Sequence, residues 1–270
     1  MPTIGSLCAG IAGLDLAVEH HFDADLIWYS DNDPHANEVM AVRRPDAMAL
    51  GDLTAVDPST VKAPDIVTCG WPCTPVSIAG SHRGISDDRW IFHEVMDFIS
   101  GLPERPTWIV LENVRNLISH DQGRTALEVV RTVAALGLDL RWGLVRASDA
   151  GLPHQRARWF ALASDPDQPR PQGPQPARRR LVSAGSAPAA HDVDWGHYAD
   201  AIARWEMISG RPAPLPTDER RRLNPAFTEW AMGFEPGWVT DIITTRTHNL
   251  RLLGNAVCPP QAALALDLLK

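Results

Sequence analysis

A cysteine held between two prolines is the first feature of this chain with chemical potential. Cys73 lies in the tetrapeptide Pro72-Cys73-Thr74-Pro75, directly after the strand-like run Asp65-Ile66-Val67-Thr68. Proline restricts the backbone on both sides of the thiol, and open α/β sheets bind their ligands beyond the ends of their strands. Cys73 is therefore the candidate nucleophile. The alternative is that its side chain is simply a small apolar group buried in the core.

A carboxyl group and two guanidinium groups accompany later strand-like segments. Glu112 begins the sequence Glu112-Asn113-Val114 after the apolar run 108–111, and Arg156 and Arg158 precede the apolar run 159–163. A thiol, a carboxyl and a guanidinium together suit covalent catalysis on a polar ring. The alternative for Glu112 is an ordinary ion pair at a strand end, and for the arginines a salt-bridged surface strand.

Glycines and acidic residues near the first strands predict a nucleotide site. Residues 8–13 (CAGIAG) follow the first strand, and their glycines permit close approach of the backbone to a ligand. Asp31 ends the second strand, where an acidic side chain can bind ribose hydroxyls. Asp52 and Leu53 precede the third predicted strand, where they could meet an adenine. An ordinary strand-to-helix turn and helix caps are the alternatives for each feature alone. Together the features indicate an adenosine-bearing ligand.

Strands and helices alternate along the first part of the chain. Strands are predicted at 3–8, 26–29, 65–69, 108–111, 140–145 and 159–163. Helices are predicted from about 14, at 34–42, 90–99, 125–136, 198–208 and 262–269. This alternation predicts a doubly wound, mostly parallel α/β sheet.

The alternation stops near residue 164. Residues 164–190 are rich in Pro, Gln, Arg, Ser and Ala without periodicity, which predicts a linker or loop. We expect one α/β domain formed by residues 1–163 and completed by 246–270. A small inserted domain is predicted over 164–245.

The composition is that of a soluble globular protein. The chain has 270 residues, of which 44% are hydrophobic and 21% charged. No apolar run reaches the ~20 residues that cross a bilayer, and the N-terminus lacks a signal-peptide pattern, so we expect a cytoplasmic protein. The four cysteines match no zinc pattern, and we expect no metal.

The net charge of −8 argues weakly against a nucleic-acid partner. Its distribution weakens that argument, because residues 165–225 carry nine Lys and Arg against eight Asp and Glu. Two arginine triplets, 178–180 and 220–222, lie in this stretch. Each triplet could line a basic cleft on an acidic protein, or it could lie on a solvated surface.

The motifs taken in order resemble those of the cytosine carbon-5 DNA methyltransferases, as found in bacteria and phages. The matching segments are LCAGIAG at 7–13, SD at 30–31, GDL at 51–53, GWPC at 70–73, ENV at 112–114, QRAR at 155–158, RLNP at 222–225 with WAMGF at 230–234, and GNAV at 254–257. Cys8 departs from the aromatic residue usual in the first motif, Ala12 from its glycine, and Trp90 from the glycine frequent after 87–89. None of these departures removes a chemical group that the reaction needs.

The resemblance implies a Rossmann-like methyltransferase sheet with a small inserted target-recognition domain. It implies that Cys73 attacks carbon 6 of a cytosine flipped out of double-stranded DNA and that Glu112 protonates or hydrogen-bonds ring nitrogen 3. Arg156 and Arg158 would form the basic part of the catalytic site. The methyl donor would be S-adenosylmethionine, and the residues implied to bind it are Gly10, Ile11, Gly13, Asp31, Asp52, Leu53, Pro72 and Asn255. No obligatory protein partner is implied, and we expect a monomer in the cytoplasm of a bacterial or phage-infected cell.

Three alternatives to a DNA methyltransferase remain open at this point. An RNA cytosine methyltransferase of the same architecture would keep Cys73 and Glu112 and differ in substrate. A nicotinamide-dependent oxidoreductase is disfavoured because the chain lacks the G-x-G-x-x-G pattern in residues 8–13. A catalytically inactive DNA-binding protein is disfavoured by the intact Cys73, Glu112 and Arg158.

Overall fold

The computed structural model describes residues 1–72, 90–167 and 193–270. The predicted nucleophile Cys73 and the arginine triplet 178–180 lie outside the described residues. Pro72, which directly precedes Cys73, is described.

One mixed sheet organises the described part of the chain. Its strands are Thr3–Leu7 (β1), Asp25–Ser30 (β2), Met48–Gly51 (β3), Ile66–Cys69 (β4), Trp108–Val114 (β5), Asp139–Arg146 (β6) and Ala157–Ser164 (β7). They lie in the order β3-β2-β1-β4-β5-β7-β6. β1 to β5 are parallel to one another, whereas β7 runs antiparallel to both β5 and β6. The predicted doubly wound, mostly parallel sheet is confirmed.

The strand order creates a switch point beside β1. β2 and β3 lie on one side of β1, and β4 and the later strands lie on the other. Sheets of this kind bind ligands beyond the carboxyl ends of the strands at such a point. The central strands β4 and β5 are buried on both faces, which explains their continuous apolar sequences.

Helices cover both faces of the sheet. In the described residues they are Gly13–Phe22 (α1), Pro34–Arg43 (α2), Phe92–Ser100 (α3), Arg124–Ala135 (α4), Ala199–Ser209 (α5), Pro225–Ala231 (α6), Arg246–Asn255 (α7) and Pro259–Leu269 (α8). Buried side chains of α3 and α4 belong to the apolar core on one face. Those of α1, α2, α7 and α8 belong to the core on the other face.

Residues at the helix starts explain where several helices begin. Asp33 accepts a hydrogen bond from His35 N (3.0 Å), and Pro34 occupies the first turn of α2. Asn224 caps the start of α6: its side chain accepts a hydrogen bond from Ala226 N (3.1 Å), and Pro225 occupies the first turn. The sequence does not predict β3, α6 or α7, and these elements are additions to the expected fold.

The described part of the predicted inserted domain packs on the sheet domain. Trp205 of α5, Trp230 of α6 and Trp238 after it belong to the same apolar core as α1 and α8. The indole nitrogen of Trp205 donates to Trp230 O (2.9 Å), which joins α5 to the end of α6. A separate recognition domain over 164–245 stays a prediction.

One segment passes for a membrane span by length and mean hydropathy alone, although Arg251 and Asp267 interrupt it so that it is no continuous apolar run. Arg246–Leu269 has a mean hydropathy of 1.3 in its most apolar window, and 56% of that window is buried inside the protein. The segment consists of α7 and α8, separated by residues 256–258. α8 packs against α1 and β6, as a core helix does.

Candidate active site

A cleft of about 430 Å³ lies at the carboxyl ends of the parallel strands. Its walls come from the ends of β1, β2, β4 and β5 and from the end of α7. Of the predicted site residues, those that line it are Gly10, Ile11, Gly13, Asp31, Pro72, Glu112, Arg158 and Asn255. The volume is within the range of ~300–1,000 Å³ usual for small-molecule sites. The topology therefore brings together most of the residues that the sequence singles out.

The glycine-containing turn after β1 forms the floor of the cleft. Gly10 has φ +55°, a left-handed conformation that glycine adopts without steric cost. A Cβ atom at Gly13 would lie 2.1 Å from Val257 O, so only glycine allows α1 to begin this close to the segment after α7. Ala12 also adopts a left-handed conformation (φ +66°), although it stands where the family usually has glycine.

Asp31 holds the glycine turn and faces the cleft. Its Oδ2 accepts a hydrogen bond from Gly10 N (2.8 Å), and its Oδ1 accepts one from Asp33 N (2.8 Å). Burial raises the pKa of Asp31 above its ordinary value, although the bonds from these amides act in the opposite direction. Each carboxylate oxygen has further lone pairs, which suit it to accept hydroxyl protons of a sugar.

Glu112 and Arg158 form a buried pair at the opposite wall. Glu112 Oε1 lies 3.2 Å from Arg158 Nε across the antiparallel strands β5 and β7. Burial raises the pKa of the Glu112 carboxyl, while the nearby charges of Arg158 and Arg156 lower it by less. Gly70 passes close by, since a Cβ atom there would be 3.4 Å from Glu112 Oε2. A carboxyl with a raised pKa beside a cation can hold a proton and donate it to a ligand ring.

Asn113 connects the Glu112 strand to the segment that leads to Cys73. Its Nδ2 donates to Trp71 O (3.2 Å), and its Oδ1 accepts from Val114 N (2.8 Å). The side chain is buried. Asn113 therefore fixes the backbone at Trp71, two residues before Cys73.

Arg156 lies beside the cleft rather than in its lining. It donates from Nη1 to Gly254 O (2.8 Å) and from Nη2 to Ala256 O (2.6 Å), at the end of α7. It therefore holds the segment that carries Asn255, a cleft residue. Whether it also touches the substrate stays a prediction.

Two further predicted contacts lie outside the lining. Asp52 caps the short 3-10 helix Leu53–Ala55 by accepting from Thr54 N (2.9 Å), and its side chain points to solvent. Leu53 is buried in the core beneath α3. Their proposed contact with an adenine stays a prediction.

Several residues that shape the cleft carry no signal in the sequence. Trp238 donates from its indole nitrogen to Ile11 O (2.9 Å), although the two residues are separated by 227 positions. Arg251 of α7 forms an ion pair with Asp33, from Nη2 to Oδ1 (3.0 Å), at the edge of the cleft. This pair lowers the pKa of Asp33. In the sequence, the one signal for this ion pair is that Asp33 lies two residues after Asp31.

The cleft fits an adenosine-bearing cofactor by the chemistry of its lining. Asp31 offers a carboxylate to hydroxyl groups, and Gly10 leaves space for close approach of a ligand. Ile11 and Leu252 add apolar surface suitable for a ring. Glu112, Arg158 and Pro72 line the same cleft.

Curated relatives of this chain are bacterial type II methyltransferases. M.NlaIV of Neisseria lactamica is 31% identical over 170 residues, which cover 59% of this chain and 40% of the relative. M.NgoBV of Neisseria gonorrhoeae is 30% identical over 172 residues, which cover 60% of this chain and 40% of the relative. Across the curated relatives compared, the chain spans 40% to 52% of their length.

A solved structure agrees over the whole chain. The methyltransferase EhMeth of Entamoeba histolytica has a TM-score of 0.68 at 17% identity, covering 100% of this chain and 98% of that one. At this identity the likeness shows the fold. The family model for C-5 cytosine-specific DNA methylases matches residues 3–186, which include the glycine turn, Cys73, Glu112, Arg156 and Arg158. The chain belongs to the family of C-5 cytosine-specific DNA methylases.

Proposed function

We propose that the protein is a DNA (cytosine-5-)-methyltransferase that modifies a cytosine flipped out of a short specific sequence in double-stranded DNA. The observation that carries the proposal is the buried pair of Glu112 and Arg158 in the same cleft as the glycine turn and Asp31. This arrangement supports Glu112 as a proton donor to a ring next to a bound adenosine group. The type II methyltransferases among its relatives support DNA as the substrate.

Cys73 is the proposed nucleophile. It directly follows Pro72, which lines the cleft. A cysteine with an ordinary pKa is about 3% thiolate at pH 7, and a nearby cation such as Arg158 raises that fraction. The thiolate sulfur forms a bond to carbon 6 of cytosine, and the electrons of the 5,6 double bond make carbon 5 nucleophilic.

Glu112 is the proposed acid for this step. It delivers a proton or a hydrogen bond to ring nitrogen 3 as the sulfur adds, and its raised pKa keeps that proton available. S-adenosylmethionine, when bound by the glycine turn, Asp31 and Asn255, supplies an electrophilic methyl group. Carbon 5 takes that methyl group, and S-adenosylhomocysteine is the leaving group. Loss of the carbon-5 proton to a water or a side chain then re-forms the 5,6 double bond, breaks the sulfur–carbon bond and releases Cys73 as the thiolate.

Substrate access requires the base to leave the duplex. Stacking hides carbons 5 and 6, and extrusion costs a few kcal/mol. Residues 164–245 are the proposed reader of the target sequence. We propose that the protein acts as a monomer in the cytoplasm of a bacterial or phage-infected cell, in restriction-modification or a related role.

A substrate comparison tests this function. The protein is incubated with methyl-labelled S-adenosylmethionine and either genomic duplex DNA or a pool of transfer RNA. Label in DNA is expected, and bisulfite sequencing should show 5-methylcytosine at one short sequence. Label in RNA alone would support the RNA methyltransferase instead, and label in neither would contradict the proposed activity.

A further inference from the structure

The arginine triplet 220–222 lies at the tip of a short hairpin. Thr217 and Leu223 form an antiparallel bridge, and Asp218 N donates to Arg222 O (2.8 Å). Arg221 N donates back to Asp218 O (2.8 Å), which closes a tight turn. We call residues 217–223 the arginine hairpin.

The turn places an arginine where glycine is the usual residue. Arg221 has φ +57°, in the left-handed region. Three-residue hairpin loops end in a left-handed position that glycine fills with the least strain. A β-carbon and a long side chain are kept here at a conformational cost. A strained residue of this kind is a reason to look for a function of its side chain.

The three arginines of the hairpin differ in their surroundings. Arg222 is engaged within the hairpin, because its Nη2 lies 2.7 Å from Asp218 Oδ2. Arg220 and Arg221 are exposed, and among residues 1–72, 90–167 and 193–270 neither guanidinium has an acidic partner within 4.0 Å. Glu219 is an exposed neighbour of opposite charge. The tip therefore offers two unpaired cations to an external partner.

The hairpin is fixed to the helix that leads to the cleft. Arg246 Nε, at the start of α7, donates to Leu223 O (3.0 Å), and Asn224 Nδ2 donates to Leu215 O (2.8 Å). α7 ends at Asn255, in the cleft lining. Its ten residues span about 15 Å. The hairpin is thus bonded to the start of α7, and the cleft residue Asn255 lies at the end of the same helix.

We propose that the arginine hairpin binds the sugar–phosphate backbone of the duplex DNA substrate, with Arg220 and Arg221 contacting phosphates. The proposal rests on the proposed function. Unpaired guanidinium groups suit phosphate oxygens, and the span of α7 corresponds to about four base pairs of B-DNA at 3.4 Å each. The hairpin would hold the duplex while the flipped base occupies the cleft.

The salt dependence of DNA binding tests this role. Each phosphate contact contributes about 0.9 to the slope of log K against log salt on B-DNA. Affinity of the full chain for a 30-base-pair duplex is measured from 50 to 300 mM NaCl for the wild type, R220Q, R221G and the double variant. Each single change should make the slope shallower by about 1, and the double change by about 2. R221G should also keep or raise Tm, because glycine relieves the left-handed strain.

Two matched variants make the test specific. R131Q removes an exposed arginine of α4, on the opposite face of the sheet, and should leave the slope unchanged. E219Q removes the competing negative charge and should tighten binding several-fold at low salt. Unchanged slopes in R220Q and R221G, or a loss confined to transfer RNA, would overturn the proposal. If the wild type binds and methylates no duplex, the proposed function itself fails; if it does and the hairpin variants match it, only the hairpin proposal fails.

Discussion

Glu112 is the residue whose environment says most about the chemistry. It is buried at the end of β5, beside Arg158, and its pKa is raised because burial outweighs the nearby positive charge. An ordinary glutamate would be ionised at neutral pH and unable to donate a proton. Burial therefore favours the protonated form of this strand-end carboxyl more than in an exposed glutamate.

The first prediction at this scale concerns E112Q. The amide cannot supply a proton to the ring, so the single-turnover rate should fall by about 10²- to 10³-fold. Affinity for DNA and for S-adenosylmethionine should change little. E104Q, at an exposed glutamate, is the control. A loss of DNA affinity that accounts for the whole defect would contradict the acid role.

The same residue predicts a pH dependence. The protonated form is the active one, so the contribution of Glu112 to the rate should be full at low pH and fall as pH rises through its raised pKa. The thiolate fraction of Cys73 changes in the opposite direction, which gives a bell-shaped profile for the wild type. E112Q should lose the decline on the alkaline side; a retained decline would assign it to another group.

A variant of Arg156 can distinguish a positioning role from direct contact with substrate. Arg156 donates to Gly254 O and Ala256 O on either side of the cleft residue Asn255, which we propose binds the cofactor. R156K cannot reach both carbonyls in the same way, so we expect the dissociation constant for S-adenosylmethionine to rise about tenfold, the loss of one charged hydrogen bond. The rate at saturating cofactor should stay within a few-fold, as in the control R124K. A large fall in that rate with unchanged affinity would place Arg156 in direct contact with substrate.

At the scale of elements, the sequence predicts best those strands whose burial leaves a continuous apolar run. β4 and β5 are continuous apolar runs because both faces of the central sheet are covered, and both are predicted. β3 has only half-exposed or exposed residues and no alternation, so nothing in MALG marks it as a strand. α7 lacks a strong apolar face because it lies at the cleft edge, where Arg251 pairs with Asp33.

The loop after α6 depends on one buried carboxylate. Glu229 accepts hydrogen bonds from Gly237 N (2.8 Å), Val239 N (2.6 Å) and Thr240 N (3.1 Å). The loop carries Trp238, which bonds to Ile11 in the glycine turn. A carboxylate in α6 thereby supports the cofactor site through the loop that it holds.

E229Q should lower the free energy of unfolding by about 3 kcal/mol, because an amide group would face backbone donors where the carboxylate accepted from them. Urea unfolding monitored by tryptophan fluorescence measures this loss. E235Q is the control, since its half-exposed ion pair with Arg211 is worth less than about 1 kcal/mol. Equal losses in both variants would contradict the buried role of Glu229.

At the scale of the whole molecule, the cleft is built by contacts between residues that are far apart in the chain. Glu112 lies near the end of β5 and Arg158 at the start of β7, and the antiparallel pairing of these two strands, which the sequence did not predict, brings the side chains together. The bond from Trp238 to Ile11 joins a side chain to a backbone oxygen, which requires no particular residue at position 11 and therefore leaves no pattern in the sequence. Topology was predictable from periodicity, whereas such cross-links depend on packing in three dimensions.

Buried acids should shape the pH dependence of stability. Asp15 is fully buried and accepts from Ser6 Oγ (3.0 Å) and from Thr68 Oγ1, and burial raises its pKa. The pKa of Glu19 is raised to about 7, mainly by burial. A carboxyl with a raised pKa binds its proton more tightly in the folded state, so the free energy of unfolding should fall as pH increases from about 4 towards neutrality.

D15N tests this contribution. The amide is neutral at all pH values, and the two hydroxyls can rotate to meet it. Urea unfolding at pH 5 and pH 8 should show a smaller loss of stability for D15N than for the wild type. An equal or larger loss would show that Asp15 is ionised without cost in the folded protein.

A covalent trap tests the central claim most directly. Duplex DNA prepared with 5-fluorocytosine in place of cytosine contains every short sequence, so the unknown target is included, and fluorine at carbon 5 blocks release of the enzyme. With S-adenosylmethionine present, the wild type should become attached to this DNA, and mass spectrometry should locate the bond at Cys73, while C73S should bind without attachment. Attachment at another residue, or DNA binding and cofactor binding with no attachment at all, would contradict a mechanism in which this cysteine forms a bond to cytosine.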